Sequence, residues 1–161
     1  MNILIILFIL AIFYMYITSP CSRSHRTKSG RMYKSRDQKT AELLDTLRDI
    51  SIDLTTRIRP DDSYLLAKNL QNTSFIELID QNPKIMAWNY DKGREIGVKI
   101  YDRTGRPQSA DEIINSLLHE LAHSTTVSWG HGPEWQENNE YLQLLRKKYV
   151  KILIIKTFIN K

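Results

Sequence analysis

Cysteine is almost absent from this chain of 161 residues, in which Cys21 is the only one. A single thiol cannot form a disulfide within the chain, and it cannot supply the cysteine set of a zinc ribbon. The sequence also contains no internal repeats. Its length allows one folded domain with short appendages. We therefore expect a single domain whose stability does not depend on disulfides.

Acidic residues are scarce at both ends of the chain. Between residues 21 and 39, seven Lys and Arg are opposed only by Asp37, and from residue 146 onward six Lys and Arg are opposed by no acid. Residues 40–145 hold 10 basic and 17 acidic side chains, a net charge of −7. This acidic middle would repel nucleic-acid phosphates, so the overall charge of +5 does not by itself indicate a nucleic-acid partner.

Charge is also missing from the N-terminal segment. Residues 1–17 are apolar apart from Asn2 and two tyrosine hydroxyls, and as a helix they would rise about 25 Å. The alternative, a cleaved signal peptide, is disfavoured because no Lys or Arg precedes the apolar run and no convincing small-x-small cleavage site follows it. The sequence therefore predicts a transmembrane anchor at residues 1–18, with the catalytic domain on the cytosolic side of a single-pass membrane protein.

The remaining organisation follows from composition and hydrophobic periodicity. Residues 19–38 are rich in Ser, Lys and Arg without a period, which predicts a basic flexible linker. A globular domain is expected at residues 39–150, followed by a basic and hydrophobic tail at residues 151–161. Apolar steps of three and four predict helices in this domain, at residues 40–58, at residues 61–70, after a capping box of Ser109 and Glu112, and at residues 134–149.

Short apolar segments, the last of which alternates with a period of two, predict three short strands. They lie at residues 75–79, 85–89 and 95–101. Residues 90–93 have turn chemistry, and Gly93 is free to adopt a positive φ. The second and third strands are therefore expected to form a hairpin.

The motif His119-Glu120-Leu121-Ala122-His123 carries the chemistry. Residues four apart lie on the same face of a helix, so His119 and His123 can present two imidazoles to one ion. Zinc accepts such nitrogens at about 2.0–2.1 Å. Glu120, at the edge of that face, can take a proton from a water that zinc has made more acidic. The motif predicts two metal ligands and a general base on one helix.

A catalytic zinc ion needs a third protein ligand and an open position. His131 is the favoured candidate because Gly130 and Gly132 allow the backbone to turn its imidazole back toward the helix. Three glutamates on the following helix compete with it: Glu134, Glu137 and Glu140. A closed structural site would need a fourth ligand, and no further His or Cys lies nearby. The residue that donates a hydrogen bond to the oxyanion is not decided by the sequence, and the candidates are Tyr90, Tyr101 and Tyr141. His25 lies in the predicted linker and is assigned no role.

Two blocks of the sequence resemble the WLM peptidases, which are relatives of the Spartan (SprT-like) metalloproteases. The first block, AWNYDKGREIGVKI at residues 87–100, is similar to the family's hairpin. The second block, residues 113–135, contains the histidine motif and His131. Trp135 stands four residues after His131, where the family has an aromatic residue that begins the next helix.

This resemblance implies a compact zincin-like domain of the minigluzincin type. The fold class would be α+β, with a small antiparallel sheet packed on helices. It also implies that His119, His123 and His131 bind one catalytic zinc ion and that Glu120 is the base. Family members cleave proteins, notably proteins crosslinked to DNA. An edge strand of the sheet could hold an extended substrate, and residues 95–101 are the candidate.

Three functions compete at this point. The favoured one is a membrane-anchored zinc metalloendopeptidase that hydrolyses peptide bonds in protein or peptide substrates. The second is a protease of the DNA–protein-crosslink repair type, whose basic flanks, rather than its acidic middle, would contact nucleic acid. The third is a non-catalytic zinc-binding interaction protein. The spacing of the histidines and the adjacent glutamate favour an enzyme.

Overall fold

A computed structural model describes residues 5–10, 23–57, 70–79, 82 and 84–149 of the chain. Within these residues there are five strands: β1 Ser24–Arg26, β2 Met32–Lys34, β3 Ser74–Glu77, β4 Ala87–Tyr90 and β5 Glu95–Val98. The main helices are α1 Gln38–Thr56, α2 Ala110–Thr125 and α3 Pro133–Tyr149. The chain is thus a small α+β protein with one sheet packed on helices, as predicted.

The sheet is mixed rather than antiparallel. Its strand order is β1-β2-β3-β5-β4. The β1–β2 and β4–β5 pairs are antiparallel, whereas β2–β3 and β3–β5 are parallel. The prediction of a wholly antiparallel sheet is therefore wrong. Parallel strands need a crossover connection, and α1 is the crossover that lets β3 pair in parallel with β2. The predicted β4–β5 hairpin is confirmed, with Ala87 opposite Val98 and Tyr90 opposite Glu95.

Residues 23–38 are folded, although the sequence predicted a flexible linker at residues 19–38. They form the β1–β2 hairpin and the N-cap of α1, where the Asp37 side chain accepts a hydrogen bond from the Thr40 amide at 2.7 Å. Tyr33 is only 4% exposed, and its hydroxyl donates to Asp45 at 2.8 Å. Arg36 forms an ion pair with Glu77 at 2.6 Å. The partners of this segment are distant in sequence, so local composition could not reveal its order.

The expectation of a membrane-spanning protein is contradicted. In the part of the chain that the structure describes, no helix is both long and apolar enough to cross a bilayer. Of the predicted anchor at residues 1–18, the structure describes residues 5–10, which are helical and rise about 9 Å. The other residues of that anchor, most of the helix predicted at residues 61–70, and the tail at residues 151–161 lie outside the described residues.

The core lies where α1 and α2 meet the sheet. Leu44 and Leu47 of α1, Phe75 and Ile96 of the sheet, and Leu117 of α2 are buried together. The predicted capping box begins α2, because the Ser109 side chain accepts from the Glu112 amide while the Glu112 carboxylate accepts from the Ser109 amide. Burial of one face of α2 holds its other face, which carries the histidine motif, in a defined orientation.

The two outer strands of the sheet are β1 and β4. β5 is interior because it is hydrogen-bonded to β3 on one side and to β4 on the other. The expectation that residues 95–101 form an edge strand is therefore wrong. β4, which contacts α2, is the edge nearest to the histidine motif.

Candidate metal centre

Three histidines converge at one end of α2. His119 and His123 lie on the helix, and His131 lies in the loop that precedes α3. The Nε2 atom of His131 is 3.1 Å from Nε2 of His123 and 3.2 Å from Nε2 of His119. All the potential ligand atoms of the cluster lie within 4.8 Å of one another. The structure thus brings together the three histidines that the sequence analysis named, and the cluster could hold a metal ion.

The electrostatic environment favours neutral imidazoles. Burial lowers the pKa of His119, and the charge of His131 lowers it further. Burial also lowers the pKa of His123 to about 4, with further contributions from the charges of His119, His131 and Lys92. A neutral imidazole has the free nitrogen lone pair that a metal requires. Near neutral pH, His119 and His123 are therefore in the form that binds metal.

Trp135 forms an aromatic wall beside the cluster. Its ring centroid is 4.8 Å from that of His119, 5.4 Å from that of His123 and 4.4 Å from that of His131. The indole lies in the first turn of α3 and is almost fully buried. Packing against all three rings restricts their rotation, so Trp135 helps to hold the imidazoles in their converging orientation. The sequence marked Trp135 only as a position in a motif.

Glu120 follows His119 and is 8% exposed. Burial raises the pKa of its carboxyl group to about 7. Glu120 and His119 line a cleft of about 350 Å³ between α2 and the start of β4, where Met86 and Ala87 form the opposite wall. A carboxyl group with a pKa near neutrality can both accept and release a proton at physiological pH.

The β4–β5 turn is docked on α2. The side-chain amide of Asn89 donates to the Glu120 carbonyl at 2.7 Å and to the Ser124 hydroxyl at 2.6 Å. Its oxygen accepts from the Gly93 amide at 2.7 Å. Gly93 has φ +98°, and a Cβ atom at this position would lie 2.8 Å from Ser124 Oγ. The predicted positive φ of Gly93 is confirmed, and the reason extends beyond the turn itself to its close approach to α2.

Two charged side chains hold the loop that carries His131. Lys92 donates to the carbonyls of Thr126 and Ser128 at 2.7 and 2.6 Å. The carboxylate of Glu134 accepts from the amides of Val127 and Ser128 at 2.9 and 3.2 Å. Glu134 was a candidate third ligand, but its carboxylate instead bonds the loop backbone. Sequence reasoning missed Lys92, for which the only signal was its place in the hairpin block.

The other sequence candidates lie outside the cluster. Glu137 and Glu140 are exposed on α3, and the three-residue cluster contains neither of them. Among the tyrosines, Tyr101 contacts the Arg36 guanidinium at 3.9 Å and lines a separate pocket of about 560 Å³. Tyr90 and Tyr141 are exposed, and their role as oxyanion donors stays a prediction. His25 lies on β1, opposite Tyr33, away from the other histidines.

Comparisons with known proteins give two structural matches. No family model matches the chain, and no curated protein matches its sequence. The crystal structure of Wss1 from Saccharomyces cerevisiae is 17% identical, with a TM-score of 0.49 over 70% of this chain and 83% of that chain. A Wss1 mutant from the same organism is 19% identical, with a TM-score of 0.44 over 63% of this chain and 83% of that chain.

The chain resembles the WLM peptidases in the sequence motifs at residues 87–100 and 113–135.

Proposed function

We propose that the protein is a zinc-dependent endopeptidase that hydrolyses peptide bonds in protein substrates. His119, His123 and His131 would hold the metal, and Glu120 would be the general base. The observation that carries the proposal is the convergence of three imidazole nitrogens beside a buried carboxyl group. Neither feature is needed for the packing of the core. The imidazoles are the ligands, and the carboxyl group the base, that metal-assisted hydrolysis requires.

The nitrogen spacing supports zinc as the metal. Ligand atoms at about 2.0–2.1 Å in a tetrahedral site lie about 3.3 Å apart. The distances from His131 Nε2 to the Nε2 atoms of His123 and His119, 3.1 and 3.2 Å, are close to this value. Within the described residues, the cluster contains three potential ligands and no fourth. Three ligands leave one position open, which is typical of catalytic zinc and argues against a closed structural site.

The metal and Glu120 have separate roles in the proposed reaction. When bound, zinc supplies a Lewis acid that polarises the substrate carbonyl and lowers the pKa of a coordinated water. Glu120 accepts the proton of the attacking water and delivers it to the nitrogen of the leaving amine. Burial of Glu120 supports this role, because a carboxylate with a raised pKa is a stronger base.

Edge strand β4 supports binding of an extended substrate. Its outer side has no strand partner among the described residues, and its first residue, Ala87, lines the same cleft as Glu120. A polypeptide that pairs with β4 would lie along the cleft and bring a peptide bond to the metal centre. Backbone pairing depends little on side chains, so the proposal accommodates many protein substrates.

Replacement of Glu120 by glutamine tests the proposal. We expect Glu120→Gln to cleave a fluorescently labelled unfolded protein about 10²- to 10⁴-fold more slowly, which is the usual contribution of a general base. The zinc content should stay near one ion per chain, because the histidines are unchanged. Glu140→Gln is the matched control, since Glu140 is an exposed glutamate outside the cluster. Equal activity of the Glu120→Gln and wild-type proteins would overturn the mechanism.

A crosslink-repair protease is the second candidate, and the β1–β2 hairpin favours it. The exposed basic residues of this hairpin and of the start of α1 are Arg23, Arg26, Lys28, Lys34 and Lys39. This edge of the sheet is opposite to β4, so phosphates could bind there without entering the metal centre. The arrangement therefore separates a basic edge from a catalytic edge.

Single-stranded DNA distinguishes the two candidates. For the second candidate, DNA should accelerate proteolysis at low salt, and Lys28→Glu with Lys34→Glu should reduce this stimulation and its salt dependence. Lys147→Glu with Lys148→Glu, two exposed lysines of α3, is the charge-matched control. Proteolysis that is unaffected by DNA at low salt would reject the second candidate and leave the first intact.

A further inference from the structure

The loop between His123 and His131 exposes two large apolar side chains. Val127 is 88% exposed and Trp129 is 83% exposed, the highest values among the large apolar residues that the structure describes. Exposed large apolar groups near one another mark interaction sites more often than isolated ones do. We call Val127 and Trp129 the loop surface.

The backbone of this loop is fixed although its apolar side chains are free of the core. Lys92 and Glu134 bond the backbone of residues 126–128 from two sides. Asn138 adds a hydrogen bond to the Thr125 carbonyl at 3.1 Å. A loop that is already ordered loses little conformational entropy when a ligand binds. The loop surface is therefore presented to solvent in a conformation suited to binding.

The loop surface lies next to the histidine cluster in sequence and next to the end of β4 in space. Trp129 precedes His131 by two residues. Its ring lies 4.7 Å from the Lys92 ammonium, and Lys92 follows the last residue of β4, Tyr90, by two residues. β4 and α2 also lie side by side, because the Asn89 side chain donates hydrogen bonds to Glu120 and Ser124 of α2. Further along the chain, Lys92 donates a hydrogen bond to the loop that follows α2. A polypeptide that follows β4 away from the cleft would therefore approach Trp129.

We propose that the loop surface binds a bulky apolar side chain of the polypeptide substrate. This inference rests on the proposed peptidase function and names the substrate feature that the site selects. The cleft contains Ala87, and β4 ends at Tyr90, three residues further on. At about 3.3 Å per residue, this distance is about 10 Å. The selected side chain lies about three or four residues from the bond that is cut.

The local charge favours a polypeptide over nucleic acid. An exposed indole can also stack on an unpaired base. However, residues 40–145 carry a net charge of −7, and the cation nearest to the indole, Lys92, already donates to the carbonyls of Thr126 and Ser128. The carboxylate of Glu134 lies on the other side of the loop. Phosphates would be repelled there, whereas an apolar side chain carries no such penalty.

Peptide cleavage by the zinc-loaded full chain tests the proposal. The peptides share one sequence and differ only in Phe, Leu or Ser at positions three and four residues from the cleaved bond. Trp129→Ala should lower kcat/KM about tenfold for the Phe and Leu peptides, mainly through KM, and leave the Ser peptide unchanged. Trp129→Phe should retain most of the preference. Leu144→Ala, which removes an exposed apolar residue of α3, is the matched control.

Three results would overturn the proposal. The first is an unchanged Phe-over-Ser preference in Trp129→Ala. The second is an equal loss for all peptides together with loss of zinc, which would make Trp129 a support of the metal loop. The third is that Trp129→Ala weakens binding of single-stranded DNA without changing the peptide preference.

A binding measurement separates this proposal from the proposed function. Fluorescence anisotropy of the same labelled peptides is measured on Glu120→Gln, with and without Trp129→Ala. A Phe-over-Ser preference that depends on Trp129 supports the loop surface even if the wild type cleaves no peptide, in which case only the peptidase proposal fails. If cleavage occurs but neither binding nor cleavage depends on Trp129, the loop surface is rejected and the peptidase proposal stands.

Discussion

At the scale of single residues, His131 and Glu134 were both candidate ligands but make different contacts in the structure. Both follow the motif at distances compatible with metal binding, and both were candidates for the third ligand. His131 precedes α3 and its Nε2 meets those of His119 and His123. Glu134, in the first turn of α3, accepts backbone hydrogen bonds from the loop, and these lower the pKa of its carboxyl group. Its carboxylate is thus committed to the loop backbone.

Substitution of His131 should remove the metal. We expect His131→Ala to weaken zinc binding by more than about 100-fold. Loss of a group that only hydrogen-bonds a metal ligand already lowers metal affinity about 10- to 100-fold, and loss of the ligand itself should cost more. Zinc per chain is measured after gel filtration in dilute chelator. His25→Ala, which alters the histidine on β1, is the control and should keep its zinc. Undiminished zinc in His131→Ala would point instead to a glutamate of α3 as the third ligand.

At the scale of elements, the β4–β5 turn supports the histidine cluster that we propose as a metal centre. Asn89 and Gly93 attach the turn to α2, and Lys92 attaches it to the loop before α3. The turn also contains two non-glycine residues with positive φ, Asp91 and Lys92, a conformation that costs free energy unless its surroundings hold it. The turn therefore belongs to the site although it contributes no metal ligand.

Two glycines with positive φ provide a matched comparison of this docking. Gly93→Ala adds a Cβ atom 2.8 Å from Ser124 Oγ, whereas Gly105→Ala at φ +78° meets no atom within 4 Å. Both variants bear the cost of a positive φ, so their difference reports the clash. We expect Gly93→Ala to lower the free energy of unfolding by at least about 1 kcal/mol more than Gly105→Ala, as measured by urea denaturation. Equal losses would mean that the turn does not depend on close contact with α2.

At the scale of the whole molecule, the β1–β2 hairpin is joined to the domain by buried polar contacts. Asp45 on α1 accepts from the Arg31 guanidinium at 2.7 Å and from the Tyr33 hydroxyl at 2.8 Å. Burial acts to raise the pKa of Asp45, but hydrogen bonds from Ser29, Tyr33 and Arg31 outweigh it, so the pKa lies below its usual value of 3.8. The hairpin is thus stabilised by a carboxylate that must stay charged.

This carboxylate makes stability depend on pH in a defined direction. Because the pKa of Asp45 is lower in the folded state than in the unfolded state, its contribution is complete above about pH 4 and is lost as the pH falls through the folded value. Asp45→Asn should therefore lower the free energy of unfolding by about 1–3 kcal/mol at pH 7, with a smaller difference from wild type in acid.

Denaturant titrations from pH 7 to pH 3 measure this dependence. Asp49→Asn is the control, because Asp49 also contacts Arg31 at 2.7 Å but is exposed and should matter less. A difference between Asp45→Asn and wild type that persists unchanged at pH 3 would contradict the assignment.

Features set by local sequence were predictable from the sequence alone. The capping box and apolar period of α2, the β4–β5 hairpin and the last helix each depend on residues a few positions apart. The i, i+4 spacing places His119 and His123 on one helical face in any fold that keeps α2. Sequence therefore determined the motif, the helix that carries it and the residue types of the proposed metal centre.

Features set by distant contacts were decided only by the tertiary structure. The order of residues 23–38 depends on Asp45 and Glu77, which are far along the chain. The parallel pairing of β3 with β2 and β5 makes β4, rather than β5, the edge beside the cleft. The approach of His131 depends on Lys92 and Glu134 from two other elements. Hydrophobic period and turn chemistry report the geometry of neighbouring residues, whereas strand partners and loop positions are fixed by burial and hydrogen bonds that exist only once the chain has folded.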